Sequence, residues 1–129
     1  RTFSIISPQN SHPYLAPIYA FVSVSPYPEI FNSTLLALPL LAREEGNATL
    51  AKGFNTQYGE YIGDDFVEFG ENIGLNKNVI IQKLIPEITQ EKEKVEQIYS
   101  QSFMPQPHID CVLKTYRKRL ALLNVLHQP

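Results

Sequence analysis

Hydrophobic and polar positions change their period about half-way along the chain. Phe3, Ile5 and Ile6 make a short β-prone run, Pro8-Gln9-Asn10-Ser11 carries turn residues, and Tyr14-Leu15-Ala16-Pro17-Ile18-Tyr19 resumes the apolar pattern. This predicts a hairpin. Pro13 and Pro17 fix φ and remove donors, so the second strand is expected to be an edge or very short. Residues 18–25 predict a helical turn or two, stopped by Pro26. Leu35 to Leu41 is apolar without clean alternation and is expected to be buried in whatever conformation it takes. Residues 42–58 (AREEGNATLAKGFNTQY) read as an exposed connection with room for a helical turn in it.

From Asp64 the period lengthens. Phe66, Phe69 and Ile73 fit a short helix with acids in its first turns, where the helix dipole favours them, and Gly74 closes it. Asn76 or Asn78 caps the next helix, whose stripe of Ile80, Leu84, Ile88, Val95, Ile98 and Tyr99 keeps a 3.6-residue period over about six turns. Pro86 falls inside that stripe and is expected to kink or break it. Met104-Pro105-Gln106-Pro107 is a linker. A last helix from about Ile109 to Leu126 carries Ile109, Val112, Leu113, Tyr116, Leu120 and Leu123 on one face. The expected fold is mainly α: one domain over 1–129, with a hairpin and irregular segment in 1–60 and a helical bundle in 61–129.

Composition narrows the classes. Eleven basic and thirteen acidic residues leave a net charge of −2, too weak a global field to favour nucleic acid or a membrane surface. The longest apolar run, Leu35 to Ala42, has eight residues and includes Pro39, far short of a spanning helix. One cysteine, Cys111, permits no internal disulfide and no thiolate-rich metal site. With no secretory signal in RTFSIISPQNSHP, a reducing, cytoplasmic setting is the expectation. A start at Arg rather than Met suggests a fragment or processed product.

Candidate chemistry is sparse. His108 and Cys111 are three apart, but two ligands do not make a zinc site, and no residue is identified to orient a Cys–His nucleophile pair. They read as a helix-start histidine and a small core cysteine. Asp64, Asp65, Glu68 and Glu71 lack the glycine turn and spacing of an EF-hand loop and read as a solvated helix face. Lys114, Arg117, Lys118 and Arg119 form the basic cluster of the last helix. This is expected to be an exposed face, with an acidic partner or phosphates as the alternative. Six glycines, none in a dinucleotide or P-loop pattern, leave no phosphate cradle.

One resemblance adds to this reading. Arg1-Thr2-Phe3-Ser4-Ile5-Ile6, a short turn, Tyr14-Leu15-Ala16-Pro17-Ile18-Tyr19-Ala20 and Ser23-x-x-Pro26-Tyr27 resemble the middle of the HipA-like kinases, the serine/threonine kinase toxins of HipBA-type toxin–antitoxin modules. That family reads D-x-H-x-K-N-F-S, a hairpin turn, then L-x-P-x-Y-D and a serine–proline segment. Leu35-Leu36-Ala37-Leu38 is similar to its L-x-L-A segment, Asp65-Phe66-Val67 with the helix to Gly74 to the helix that follows, and Leu84-Ile85-Pro86 to a mid-helix proline.

The resemblance implies the helical C-terminal part of such a kinase. The nucleotide lobe, phosphate loop and catalytic aspartate would precede Arg1. It also places the family's metal-binding asparagine at Thr2 and the metal-binding aspartate at Ala20. Alanine offers no oxygen, and threonine is a poor substitute for an amide carbonyl in a magnesium shell that must bridge phosphates. ATP and magnesium thus belong to the complete family, and no cofactor is expected for this chain. Three roles follow: an inactive kinase-like binding domain, half of a split or truncated toxin kinase awaiting its other lobe, or an antitoxin- or DNA-contacting module using the basic helix. The expected partner surface is the hairpin side around Phe3, Ile5, Ile18 and Tyr19. Residues 26–58 would cover it, or a second copy, the missing lobe or an antitoxin would bind it. A protein partner ranks above nucleic acid.

Overall fold

The computed structural model describes residues 4–17, 23–30, 36, 38–47 and 49–127. The chain is mainly α with a two-stranded antiparallel hairpin at its start. β1 (Ile5–Ile6) pairs with β2 (Tyr14–Leu15) in the register Ile5↔Leu15 and Ile6↔Tyr14, and Ala16 N–H donates to Ser4 O beyond the pair. The prolines that bracket the second strand keep it to two residues.

The segment read as an exposed connection is exposed at most of its described positions, but it is anchored in the core at three of them. Its two 3₁₀ turns, Ala42–Asn47 and Lys52–Asn55, carry Glu44, Ala51 and Gly53 into the interior. Ala51 packs with Leu41 and Tyr61, beside Leu40, Phe54 and Phe66, and the Phe54 and Tyr61 rings meet edge to face at 4.8 Å. A segment rich in polar residues can bury because its polar groups find partners inside.

Helix α1 (Gly63–Asn72) lies between this cluster and a second one. Phe66 faces the first; Val67 joins Ile80 and Ile85 in the second, with Ile81, Leu84, Leu123 and Leu126 around them. Phe69 and Ile73, expected on the buried stripe, are on the exposed side, and the buried positions are Gly63, Asp65, Val67 and Gly70. Gly74 closes the helix as expected. Its φ of 90° allows Gly74 N–H to reach Glu71 O and Leu75 N–H to reach Gly70 O, the double closure that a left-handed residue permits.

Asn76 caps the next segment by accepting from Asn78 N–H. The segment runs as α2 (Lys77–Val79), a π turn (Ile80–Leu84) and α3 (Ile85–Gln90). Pro86 neither breaks nor ends it. The π turn directly before the proline absorbs the missing donor: Ile85 N–H reaches back five residues to Ile80 O, and both Leu84 and Ile85 keep helical dihedrals. The break comes at Glu91 (φ −76°, ψ 0°), before α4 (Lys92–Ser100). The expected six-turn stripe is therefore two helices, and Ile88 and Ile98 fall on their exposed sides. α5 (Gln106–Leu123) starts after Pro105 and buries Ile109, Val112, Leu113, Leu120 and Leu122. It packs on α4 and α1, which completes the expected bundle.

Candidate functional site

The positions where the resemblance places metal ligands, Thr2 and Ala20, lie outside the described residues, as do Phe3, Ile18 and Tyr19. Ile5 is described, and it is open to solvent. Paired residues of an antiparallel ladder share a face, so Ile5 and Leu15, each 68% exposed, form one apolar face of the hairpin, and Ile6 and Tyr14 form the other. Among the described residues of 26–58, none buries Ile5. An isolated two-stranded hairpin is marginal in water and usually needs a third strand or a helix against it.

The basic face of α5 is not one surface. Arg117 turns to α4, where Nε and Nη2 donate to Glu96 Oε1 and Oε2, each at 2.9 Å. This hydrogen bond holds the Glu96 carboxyl below its usual range, outweighing desolvation, and it raises Arg117 in turn. Next to it, burial first and then the Glu96 and Glu91 carboxylates raise the Tyr116 phenol. Lys118 and Arg119 point the other way, to Glu60, whose side chain is only 6% exposed; Arg119 Nη1 is 3.0 Å from it. Lys114 has no ion-pair partner among the described residues. The reading of four cations as a single exposed face is thus corrected: two opposing carboxylates on α4 and at residue 60 divide them.

The acidic start of α1 is likewise not a solvated face. Asp65 is completely buried, and its carboxylate accepts from Gly53 N–H and from Ile62 N–H at 2.9 Å. An acid at the third helical position is well placed for such bonds, because the first-turn N–H groups and the N-cap have no partner within the helix. Asp64 accepts from Lys52 Nζ at 2.8 Å, from His127 N–H at 3.0 Å and from His127 Nδ1–H at 2.7 Å. Glu68 pairs with Arg43. Among the described residues no three His, Cys, Asp or Glu side chains are grouped to hold a metal ion. His108 packs edge-on against Tyr27 at 5.7 Å, and Cys111, half-buried rather than in the core, donates to Ser25 O at 3.1 Å.

The Asp64–His127 clasp pins the chain after α5 across the start of α1. Partial burial pushes Asp64 up, but the bonds from Lys52 and His127 outweigh it, and the carboxyl sits below its ordinary 3.8. A depressed carboxyl stabilises the fold at pH values above its unfolded pKa and loses that contribution as pH falls through its folded one. The clasp should therefore hold at pH 5 and open progressively in acid below 3.8. Amide exchange at His127 should accelerate over that window, and unchanged protection down to pH 2.5 would contradict the assignment.

No protein-family model matches this sequence. A curated relative does. Over all 129 residues the chain is 92% identical to a Haemophilus influenzae protein described as "Putative kinase". The chain spans 38% of that protein's length.

Two buried polar groups central to the site's surroundings left little trace in the sequence. Glu44 accepts from Leu41 N–H, Ala51 N–H and the Tyr61 hydroxyl, at 2.9 to 3.1 Å. Burial raises the Tyr61 phenol, the bond from Leu40 N–H opposes this, and the nearby Glu44 carboxylate adds to the rise. Glu60 is the other, and only its pairing with two cations from α5, 58 residues away for Lys118, explains its burial. Among the described residues no helix is long and apolar enough to cross a membrane.

Proposed function

We propose that these 129 residues are the helical part of a HipA-like serine/threonine kinase of a toxin–antitoxin module, and that taken alone they act by binding protein rather than by transferring phosphate. The observation that carries this reading is the hairpin. It exposes apolar side chains on both faces in a chain that matches, end to end, only 38% of a protein described as a kinase. The remaining 62% of such a protein is a ready occupant for that surface, and the HipA-like pattern puts the nucleotide-binding lobe on this side.

The residues present do not fit the magnesium of the complete family. Thr2 and Ala20 stand where an amide and a carboxylate oxygen are needed, and Ala20 has no side-chain oxygen at all. No phosphate loop accompanies them. Nucleic acid ranks below protein as a partner, because three of the four α5 cations are already paired with Glu96 and Glu60.

Co-expression of the chain with the part of the Haemophilus protein that it does not match tests the binding role. The two pieces should co-purify. The double change Ile5→Asp and Leu15→Asp, at exposed positions with no core to disturb, should abolish the complex while leaving helix content intact. Co-purification that survives this change, or none with the unaltered chain, would overturn the assignment. Sedimentation of the chain alone distinguishes the competing occupant, a second copy, through concentration-dependent mass.

A further inference from the structure

A cleft of about 470 Å³ opens where α1, the segment of α2 with its π turn, and the chain after α5 come together. That volume falls within the roughly 300–1,000 Å³ usual for small-ligand sites. Val67, Ile81 and Leu126, which pack together in the second core cluster, form its apolar wall. Ile81 belongs to the π turn, an uncommon element that recurs at functional sites. Most charges around the cleft are already answered inside the protein. Lys52 and His127 donate to Asp64, and Arg43 pairs with Glu68. Glu71 on α1 and Lys77 on α2 are left over. Both are exposed, both line the cleft, and neither side chain has a partner among the described residues, including each other. One carboxylate and one ammonium thus stand unanswered beside an apolar wall.

We infer that this cleft binds a small zwitterion with an apolar body, the chemistry of a free apolar amino acid or a short apolar peptide. Its ammonium donates to Glu71, its carboxylate accepts from Lys77, and its apolar part lies against Val67, Ile81 and Leu126. A simple anion would suit Lys77 and be repelled by Glu71, and a simple cation would meet the reverse. A neutral apolar molecule would take water from both charges and return nothing. A ligand that carries both signs satisfies both, through charge-assisted bonds of the stronger kind. The long, rotatable lysine stem lets its ammonium adjust to the spacing of the ligand's two ends. The inference is independent of the kinase reading, since it uses only the walls of this cleft.

Titration of the chain with the dipeptide Leu-Leu, followed by amide shifts of residues 67–81, tests it. Saturable shifts around Glu71, Lys77 and Ile81 are expected. The N-acetylated and C-terminally amidated dipeptides each lack one charge and should bind about tenfold more weakly, the scale of one charge-assisted contact. Glu71→Gln should erase the preference for free over acetylated dipeptide and keep the preference over the amide, and Lys77→Gln should do the converse. Free leucine titrated in parallel separates the two sources of the group: weaker binding than Leu-Leu assigns the cleft to a peptide, and equal or tighter binding assigns it to an amino acid. No saturable shift with either ligand, equal affinity for the free and blocked dipeptides, or preferences unmoved by both substitutions would overturn the inference.

Discussion

Replacing Asp65 with alanine should cost about 3 kcal/mol or more of folding stability. The carboxylate is wholly buried, and it is the acceptor for Gly53 N–H and Ile62 N–H. Hydrogen bonds to a charged acceptor contribute roughly 1.5–3 kcal/mol each, and their loss strands two buried donors. Against a total stability of about 5–15 kcal/mol, that is a large fraction. Asparagine keeps one acceptor oxygen and should lie between. Urea unfolding should show the midpoint of Asp65→Ala falling with an unchanged slope, and Asp65→Asn intermediate. A wild-type midpoint for Asp65→Ala would mean that the segment 42–58 is not fixed to α1 through this carboxylate.

The second large effect is steric. Gly63 begins α1 where the chain returning from α5 crosses it, and a Cβ there would stand 2.3 Å from Leu123 O and 2.8 Å from Val125 O. Both are backbone atoms, which cannot step aside as a flexible side chain can. Gly63→Ala should therefore lower the melting temperature by roughly 5–15 °C, the scale of an overpacked core in a domain of this size. It should also detach residues 124–127, so that the His127 ring loses Asp64 even at neutral pH. A melting temperature within about 2 °C of wild type would show that the crossing is looser than the structure has it.

Both sites depend on contacts between segments far apart in the chain, which local sequence patterns do not encode. The hairpin, the closure at Gly74 and the buried face of α5 were legible, because turn residues, glycine and a 3.6-residue apolar period act locally. Residues 42–58 looked exposed because they are polar and carry two glycines. The burial of Glu44, Ala51 and Gly53 among them depends on carboxylates at 44 and 65 meeting backbone N–H groups across the fold, which no local pattern encodes. Pro86 was read by its usual effect on an α-helix, and the π turn before it offered another solution. The basic cluster was legible as charge but not as geometry. Its division between Glu96 and Glu60 follows from where α4 and residue 60 come to rest. The candidate metal positions come from the resemblance alone, and there the sequence itself offers no side-chain oxygen at Ala20 and only a hydroxyl at Thr2.

The most direct test of a binding role without phosphoryl transfer is calorimetric titration of the 129-residue chain with ATP in the presence of magnesium. The account predicts no saturable heat, because Thr2 and Ala20 supply no adequate shell for the ion and no glycine loop cradles the phosphates. Micromolar binding that disappears when magnesium is withheld would contradict it.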